Sequence, residues 1–299
     1  MQDSLNKKQD IPSQVISSLS NNTMKHVKGL LLRKYREENH QFIVEGRKMV
    51  SEALSSGHTV DMLVFSETGA GRKAGEDGLR TDDAGTEEPA SIPDPLLSVA
   101  MKKEIPCRIT TDRIFKTISD TQTPQGVLAV VKEKEYNLEK VIGQTTGFLV
   151  LLDGVRDPGN LGAIVRTVDA AGGDGVILIH DCVDPYNPKA VRSTMGSVFR
   201  IPVFPCRDTA ELIDKLIRFG YHIVTSHLNG SNIFKWQGGH ARTALVIGSE
   251  SHGVSQQMID SADSLVKIPM AGGAESLNAS VAAGILIYEI FRKGRKMDE

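Results

Sequence analysis

Ile268-Pro-Met-Ala-Gly-Gly-Ala-Glu-Ser-Leu-Asn-Ala-Ser-Val-Ala-Ala-Gly284 is the stretch on which the reading of this chain turns. An apolar strand ends at Pro269, the chain passes through Gly272 and Gly273, and a helix begins around Ser276, Leu277, Asn278 and Ser280. Glycines let a backbone approach a ligand closely, and Ser or Asn can cap the helix that follows. A solvated linker has no use for that mixture. A loop that wraps a ligand and then enters a packed core needs it.

Two segments of the same kind lie upstream, Asp153 to Gly172 and Gly248 to Ser255. The first contains Asn160-x-Gly162-x-x-x-Arg166, the second Gly248-Ser-Glu250-Ser-His-Gly253. Around them, from 148 onward, strands and helices alternate as in a parallel sheet with helical crossovers. Strands are predicted at 148–152, 175–179, 200–204, 222–226, 244–247 and 264–268. Asp208 and Glu211 suggest a capping box, Leu212, Ile213, Leu216 and Ile217 form one apolar face, and Gly220 ends that helix. Each glycine-rich segment begins where a strand ends. Open parallel sheets bind ligands at the carboxyl ends of their strands, so the segments are expected to converge on one site.

Competing chemistries fit less well. A dinucleotide fold could place a ribose-binding acid at His180-Asp181, but Gly159-x-x-Gly162 is not G-x-G-x-x-G and Val155-Arg-Asp-Pro lengthens the loop. Neither a G-x-x-x-x-G-K-[ST] phosphate loop nor a G-x-S-x-G elbow is present. No Cys/His constellation suggests a metal. Glu250, just past a buried strand, needs a hydrogen-bonding or ionic partner, and His252 between loop glycines reads as an exposed loop residue rather than a base.

The 299 residues, 40% hydrophobic and 24% charged, describe a soluble globular protein with room for two domains. No apolar run approaches the roughly 18 residues that span a bilayer, and the N-terminus lacks the features of a signal or transit peptide. Cys107, Cys182 and Cys206 read as reduced thiols of a cytoplasmic protein. Net charge is −2, but Lys25, Lys28, Arg33, Lys34, Arg36, Arg47 and Lys48 outnumber the acids around them. Arg292, Lys293, Arg295 and Lys296 follow near the C-terminus.

Residues 1–20 read as a flexible tail and 21–132 as a first domain. Helical periodicity runs through Val27, Leu30, Leu31 and Tyr35, strands are predicted at 41–45, 60–65, 108–110 and 126–131, and helices at 46–55 and 111–119. The Gly-, Asp- and Glu-rich stretch 66–95 is expected to be a mobile acidic insertion. Residues 133–147 read as a linker and 148–299 as the second domain.

With Asn160-x-Gly-x-x-x-Arg166, Gly248-x-Glu250-x-x-Gly253, Ile268-Pro-Met-x-Gly272 and Ser276-Leu-Asn-x-Ser280 in order, the chain resembles the SpoU/TrmH-type RNA ribose 2′-O-methyltransferases of the SPOUT superfamily. Asn21 to Phe65 and Thr121-Gln-Thr-Pro-Gln-Gly126 resemble, more loosely, the ribosomal-protein-like RNA-binding domain that precedes many such catalytic domains. The resemblance implies an α/β fold whose parallel sheet carries a C-terminal trefoil knot, a homodimer, and S-adenosyl-L-methionine held in the knot by backbone groups of Gly248, Ile268 and Leu277. It further implies methyl transfer to a ribose 2′-hydroxyl of structured RNA, 23S ribosomal RNA ahead of transfer RNA. Arg166 would grip the adjacent phosphate and polarise the hydroxyl, Asn160 and Glu250 would orient it and the loops, and Ser276 and Asn278 would complete the polar wall. A non-catalytic RNA-binding protein of the same fold is the alternative. The acidic insertion lies outside the family pattern, and Glu275 stands where small or hydroxyl residues are usual.

Overall fold

Why the basic run 24–48 folds as it does is settled by one buried arginine. The computed structural model describes residues 14–71 and 94–294, so residues 1–13 of the expected tail and 72–93 of the acidic stretch lie outside the described residues. The chain divides into two units, Met1–Lys134 and Glu135–Glu299. The first unit contains β1 (Val15–Ile16), α1 (Asn22–Gly29), α2 (Arg33–Asn39), β2 (Gln41–Glu45) and α3 (Arg47–Ser55). It continues through β3 (Val60–Ser66), α4 (Pro95–Lys102), β4 (Cys107–Thr110), α5 (Asp112–Ile118) and β5 (Val127–Lys132). Sheet order is β1-β4-β3-β5-β2, with β5 antiparallel to both neighbours.

The periodicity through Tyr35 suggests a continuous helix, yet the chain breaks at Leu30–Leu32 into α1 and α2. Gly29 provides the room, because a Cβ there would overlap the Tyr35 ring. Arg36 then turns inward, only 2% exposed, and its Nη1 donates to the Leu30 carbonyl at 2.7 Å. Arg36 therefore belongs to the core and not to an RNA-facing surface. Met24, Val27 and Leu30 cover Ile43, Val64, Leu128 and Val130 of the sheet together with Phe115 of α5. The tail departs from expectation too: Val15 and Ile16 pair with Ile109 and Thr110. Glu45, buried at the end of β2, accepts from Ser119 Oγ (2.6 Å) and Thr121 Oγ1 (2.5 Å), which anchors the Thr121–Gly126 loop.

The second unit contains α6 (Leu138–Ile142), β6 (Gly147–Asp153), α7 (Pro158–Ala170), β7 (Gly175–Ile179), α8 (Pro188–Ser193) and β8 (Val203–Pro205). Then come α9 (Thr209–Arg218), β9 (His222–Asn232), β10 (Arg242–Gly248), α10 (Gln256–Asp260), β11 (Ser264–Lys267) and α11 (Ala279–Gly294). All strands are parallel, in the order β11-β9-β10-β6-β7-β8. The apolar runs behave as strands buried on both faces do. Val150, Leu152, Val176, Leu178, Leu245 and Ile247 face α7 and α11. Leu149, Leu151, Ile177, Ile179, Ala244 and Val246 face Leu212, Leu216 and Met258 of α9 and α10.

Within the stretch read as a linker, Asn137 caps α6 and Ile142 joins that second core. Asp208 caps α9 by accepting from the Glu211 N–H at 3.0 Å. The Glu211 carboxylate pairs forward with Lys215 instead of closing the box, and Ile217 is left 60% exposed. Strand β9 continues through polar residues to Asn232, pairing with β11 across a bulge at Leu265/Val266. Among the described residues no helix is long and apolar enough to cross a membrane.

Candidate functional site

The site is built where β6, β10 and β11 end. Asp153 closes β6, and its buried carboxylate accepts from the Ser255 N–H through Oδ2 (2.8 Å) and meets His180 Nδ1 through Oδ1 (2.6 Å). One strand end thereby fixes the two loops beside it. The chain then turns at Gly154 (φ +70) and reaches Asp157, which caps α7 by accepting from the Asn160 N–H at 2.8 Å. That hydrogen bond holds the Asp157 carboxyl below its ordinary range. Pro158 follows at the first helical position, where its missing N–H is not needed. Asn160 thus enters the first turn of α7 with its side chain directed inward, 9% exposed.

Glu250 is the hub. Its Oε1 accepts from Asn160 Nδ2 (2.9 Å), Asn278 Nδ2 (2.9 Å) and the Ala279 N–H (3.1 Å). Asn278 Nδ2 also reaches Asn160 Oδ1 at 3.0 Å. Asn278 Oδ1 in turn accepts from the Ser280 N–H (3.0 Å) and Oγ (2.6 Å), which starts α11. One carboxylate oxygen therefore ties together all three glycine-rich segments. The partner that the position of Glu250 demanded is a pair of asparagines and a helix N-terminus.

The loop after β10 is a closed turn. Ser249 N–H donates to the Gly253 carbonyl (3.1 Å) and Gly253 N–H to the Ser249 carbonyl (3.0 Å), with Gly253 at φ +68. A Cβ on Gly248 would overlap the Gly253 carbonyl and the Val254 nitrogen, so only glycine fits there. This turn and the 266–277 segment enclose a cavity of about 470 Å³. Its apolar wall is Ile247, Val254, Ile268, Leu277 and Leu286, and its polar groups include Glu250, Glu275, Ser276, Lys267, His227 and His252. Volume and lining suit a nucleoside-sized ligand held by backbone groups.

Of the residues expected from sequence, Gly248, Ile268, Leu277, Glu250 and Ser276 line this cavity, and Asn160 and Asn278 brace it. Arg166 does not line it. It is exposed on α7 and borders a separate recess of about 310 Å³ with Ser193 and Tyr288. His252 is an exposed loop residue whose Nδ1 lies 2.7 Å from Ser251 Oγ, and it also lines the cavity. Asp181, the residue a dinucleotide reading would use, is exposed and pairs with Arg156 at 3.5 Å.

In the first unit Lys25, Lys28, Arg33, Lys34, Arg47 and Lys48 are exposed. Arg33 and Lys34 pair along α2 with Glu37 and Glu38, and the Arg47 guanidinium is engaged by Asp94 and the Gly69 carbonyl. Sequence reasoning missed Asp153 and Asp157, whose signal was an acid at each end of the first glycine-rich loop. Among the described residues, no group of three or more His, Cys, Asp or Glu side chains is placed to hold a metal.

Comparison with known proteins bears on this geometry. Residues 147–288 match the SpoU rRNA Methylase family, and residues 21–129 match the MRM3-like substrate binding domain. The chain is 33% identical over 276 residues to the 23S rRNA (guanosine(2553)-2′-O)-methyltransferase RlmP of Bacillus subtilis, covering 92% of this chain and 98% of that one. The AdoMet-bound rRNA methyltransferase of Sinorhizobium meliloti superposes with a TM-score of 0.78 at 30% identity, over 93% of this chain and 97% of its own. The SpoU methyltransferase AviRb of Streptomyces viridochromogenes, in complex with AdoMet, gives 0.76 at 27% identity, over 92% and 100%.

Proposed function

We propose, from the premise that this chain belongs to the SpoU rRNA methylase family, that it transfers a methyl group from S-adenosylmethionine to a ribose 2′-hydroxyl of 23S ribosomal RNA. The observation that carries the reading is the closure of Asn160, Glu250 and Asn278 beside a cavity whose glycine rim exposes backbone. The residues present fit the cofactor. The space at Gly248 would be filled by any side chain, while Ile268 and Leu277 offer apolar walls with free backbone groups for an adenosine. When bound, S-adenosylmethionine supplies an electrophilic methyl carbon.

The protein's own groups then position the other reactant. Nucleophile and methyl must be brought nearly in line, and rigid placement supplies much of such a rate. Glu250 fixes Asn160 and Asn278 so that the loops do not relax, and Ser276 contributes a hydroxyl to the cavity wall. Arg166 is the residue assigned to the RNA. A guanidinium is too weak an acid to act as a free base, so it grips the neighbouring phosphate and polarises the hydroxyl. Its place outside the cavity lining is accounted for by a homodimer that completes the site. Tyr288, exposed on α11, lines the Arg166 recess, and Val281 is exposed on the same helix, which supports a partner there.

The 264–294 segment is read as threaded through the 248–255 loop in a trefoil knot. In support, β11 lies outside β9 while α11 returns to pack against β10 and α7. Residues 21–132 form the RNA-binding domain, with Lys25, Lys28, Arg33, Lys34 and Lys48 on phosphates and Arg47 sharing its charge with Asp94. A cytoplasmic setting accords with three free thiols.

The test combines calorimetry with S-adenosylmethionine and mapping of ribosomal 2′-O-methyl sites in cells with and without the gene. One site should disappear without the gene, and Arg166→Ala should fail to restore it while still binding the cofactor. Binding of RNA without any lost methyl site would identify a non-catalytic RNA-binding protein instead.

A further inference from the structure

We propose that Glu275 sets the preference of this enzyme for the charged methyl donor over its neutral product, an inference that rests on the methyltransferase reading above. The cavity is lined by two carboxylates, Glu250 and Glu275, against one ammonium, Lys267. Glu250 has a structural task, since Oε1 accepts hydrogen bonds from Asn160, Asn278 and Ala279. Glu275 has none: among the described residues its side chain makes no hydrogen bond or ion pair. It follows Gly272 and Gly273, where an added Cβ would meet open space, and it is itself exposed. It lies at the wall of the cavity, where its unpaired negative charge acts on whatever occupies that cavity.

Donor and product share the adenosine and the amino-acid tail. They differ at sulfur, which is a sulfonium in the donor and a neutral thioether after transfer, so the donor carries net charge +1 and the product none. An unpaired carboxylate on the wall of a partly enclosed cavity stabilises the cation and is indifferent to the neutral molecule. At such a half-solvated site the effect is about fivefold in relative affinity, or about 1 kcal/mol. Its consequence is easier departure of the product after each turnover.

Calorimetric titration of the full-length protein and of Glu275→Gln tests this with the donor, S-adenosylhomocysteine, and sinefungin, in which an amine replaces the sulfonium. In the Gln variant the ratio of product to donor Kd should fall about fivefold, sinefungin should weaken with the donor, and the product should bind as before. Glu275→Asp should keep the preference, and added salt should shrink it in wild type but not in Glu275→Gln. Thermal unfolding of each variant shows that the loop change leaves the fold intact. Equal weakening of all three ligands would place Glu275 on their common ammonium and overturn the proposal, as would no change in any of them. Failure of wild type to bind the donor at all would instead sink the methyltransferase reading.

Discussion

Gly248→Ala puts the geometry of the cofactor cavity to a direct test. The added Cβ would come within 3.0 Å of the Gly253 carbonyl group and the Val254 nitrogen, all of them backbone atoms. No flexible side chain can move aside, so either the Ser249–Gly253 turn opens or the end of β10 shifts. The turn is held by two hydrogen bonds of 3.1 and 3.0 Å, worth about 1 kcal/mol each, and overpacking of a tight site costs about 1–3 kcal/mol. If the bound state needs the undistorted turn, binding of S-adenosylmethionine weakens by about 5- to 150-fold. Calorimetry on Gly248→Ala measures it, with Gly253→Ala as comparator. Gly253 has open space but a φ of +68, so alanine there costs about 1–2 kcal/mol of backbone strain without a collision. Binding by Gly248→Ala within twofold of wild type, in a protein with unchanged thermal unfolding, would refute the claim that backbone proximity at Gly248 shapes the cavity.

Arg36→Ala should destabilise the first unit by about 2–4 kcal/mol, because it strands the Leu30 carbonyl inside the protein. Molecules that remain folded should bind RNA as before. Arg33→Ala, exposed and paired with Glu37 along α2, should do the reverse, leaving unfolding within about 0.5 kcal/mol of wild type and lowering the salt dependence of RNA binding by about one phosphate contact. Burial pushes the thiols of Cys107 and Cys182 from 9.0 up to about 11, and the Tyr221 hydroxyl up to about 12. The folded chain therefore keeps these protons to higher pH than the unfolded chain. Stability is at its full value below about pH 9 and falls as pH rises toward about 11, which chemical denaturation at a series of alkaline pH values would reveal as a falling midpoint.

The parts of the fold that could be read from sequence were those where one physical demand acts alone. Continuous apolar runs such as Val150–Leu152 or Val176–Ile179 have no alternative to a doubly buried parallel strand, and they lie there. The convergence of the three loop segments was legible for the same reason, since each follows such a strand. Where two demands compete, pattern failed. Arg36 has the charge of a surface residue, but the break after Gly29 leaves a carbonyl that needs a donor. Ile217 fits the apolar face of α9 by spacing, yet lies where the sheet no longer covers it. The end of β9 is polar because it is held to β11 by backbone pairing and by Ser231 Oγ donating to the Leu265 carbonyl, a demand that leaves no mark on side-chain hydrophobicity. Strand β8 starts at Val203 rather than Arg200 because a 3-10 turn over Ser197–Phe199 ends at Arg200, whose guanidinium pairs with Asp169. Within the site, Asn160, Glu250 and Asn278 were legible as polar intruders beside apolar strands, but their mutual contact spans separations of 28, 90 and 118 residues. No local pattern encodes such distances.

The shared oxygen of Glu250 also sets a timetable. Two of its three donors, Asn278 and the Ala279 N–H, lie at the start of the final helix. The Ser249–Gly253 turn closes through its own backbone hydrogen bonds, so it can form before α11 is in place. Until α11 docks, the Glu250 carboxylate has only Asn160, and the cavity lacks the wall that carries Leu286. Competence to bind is thus deferred until α11 docks, because only then does Glu250 gain its second and third donors and the cavity its last wall.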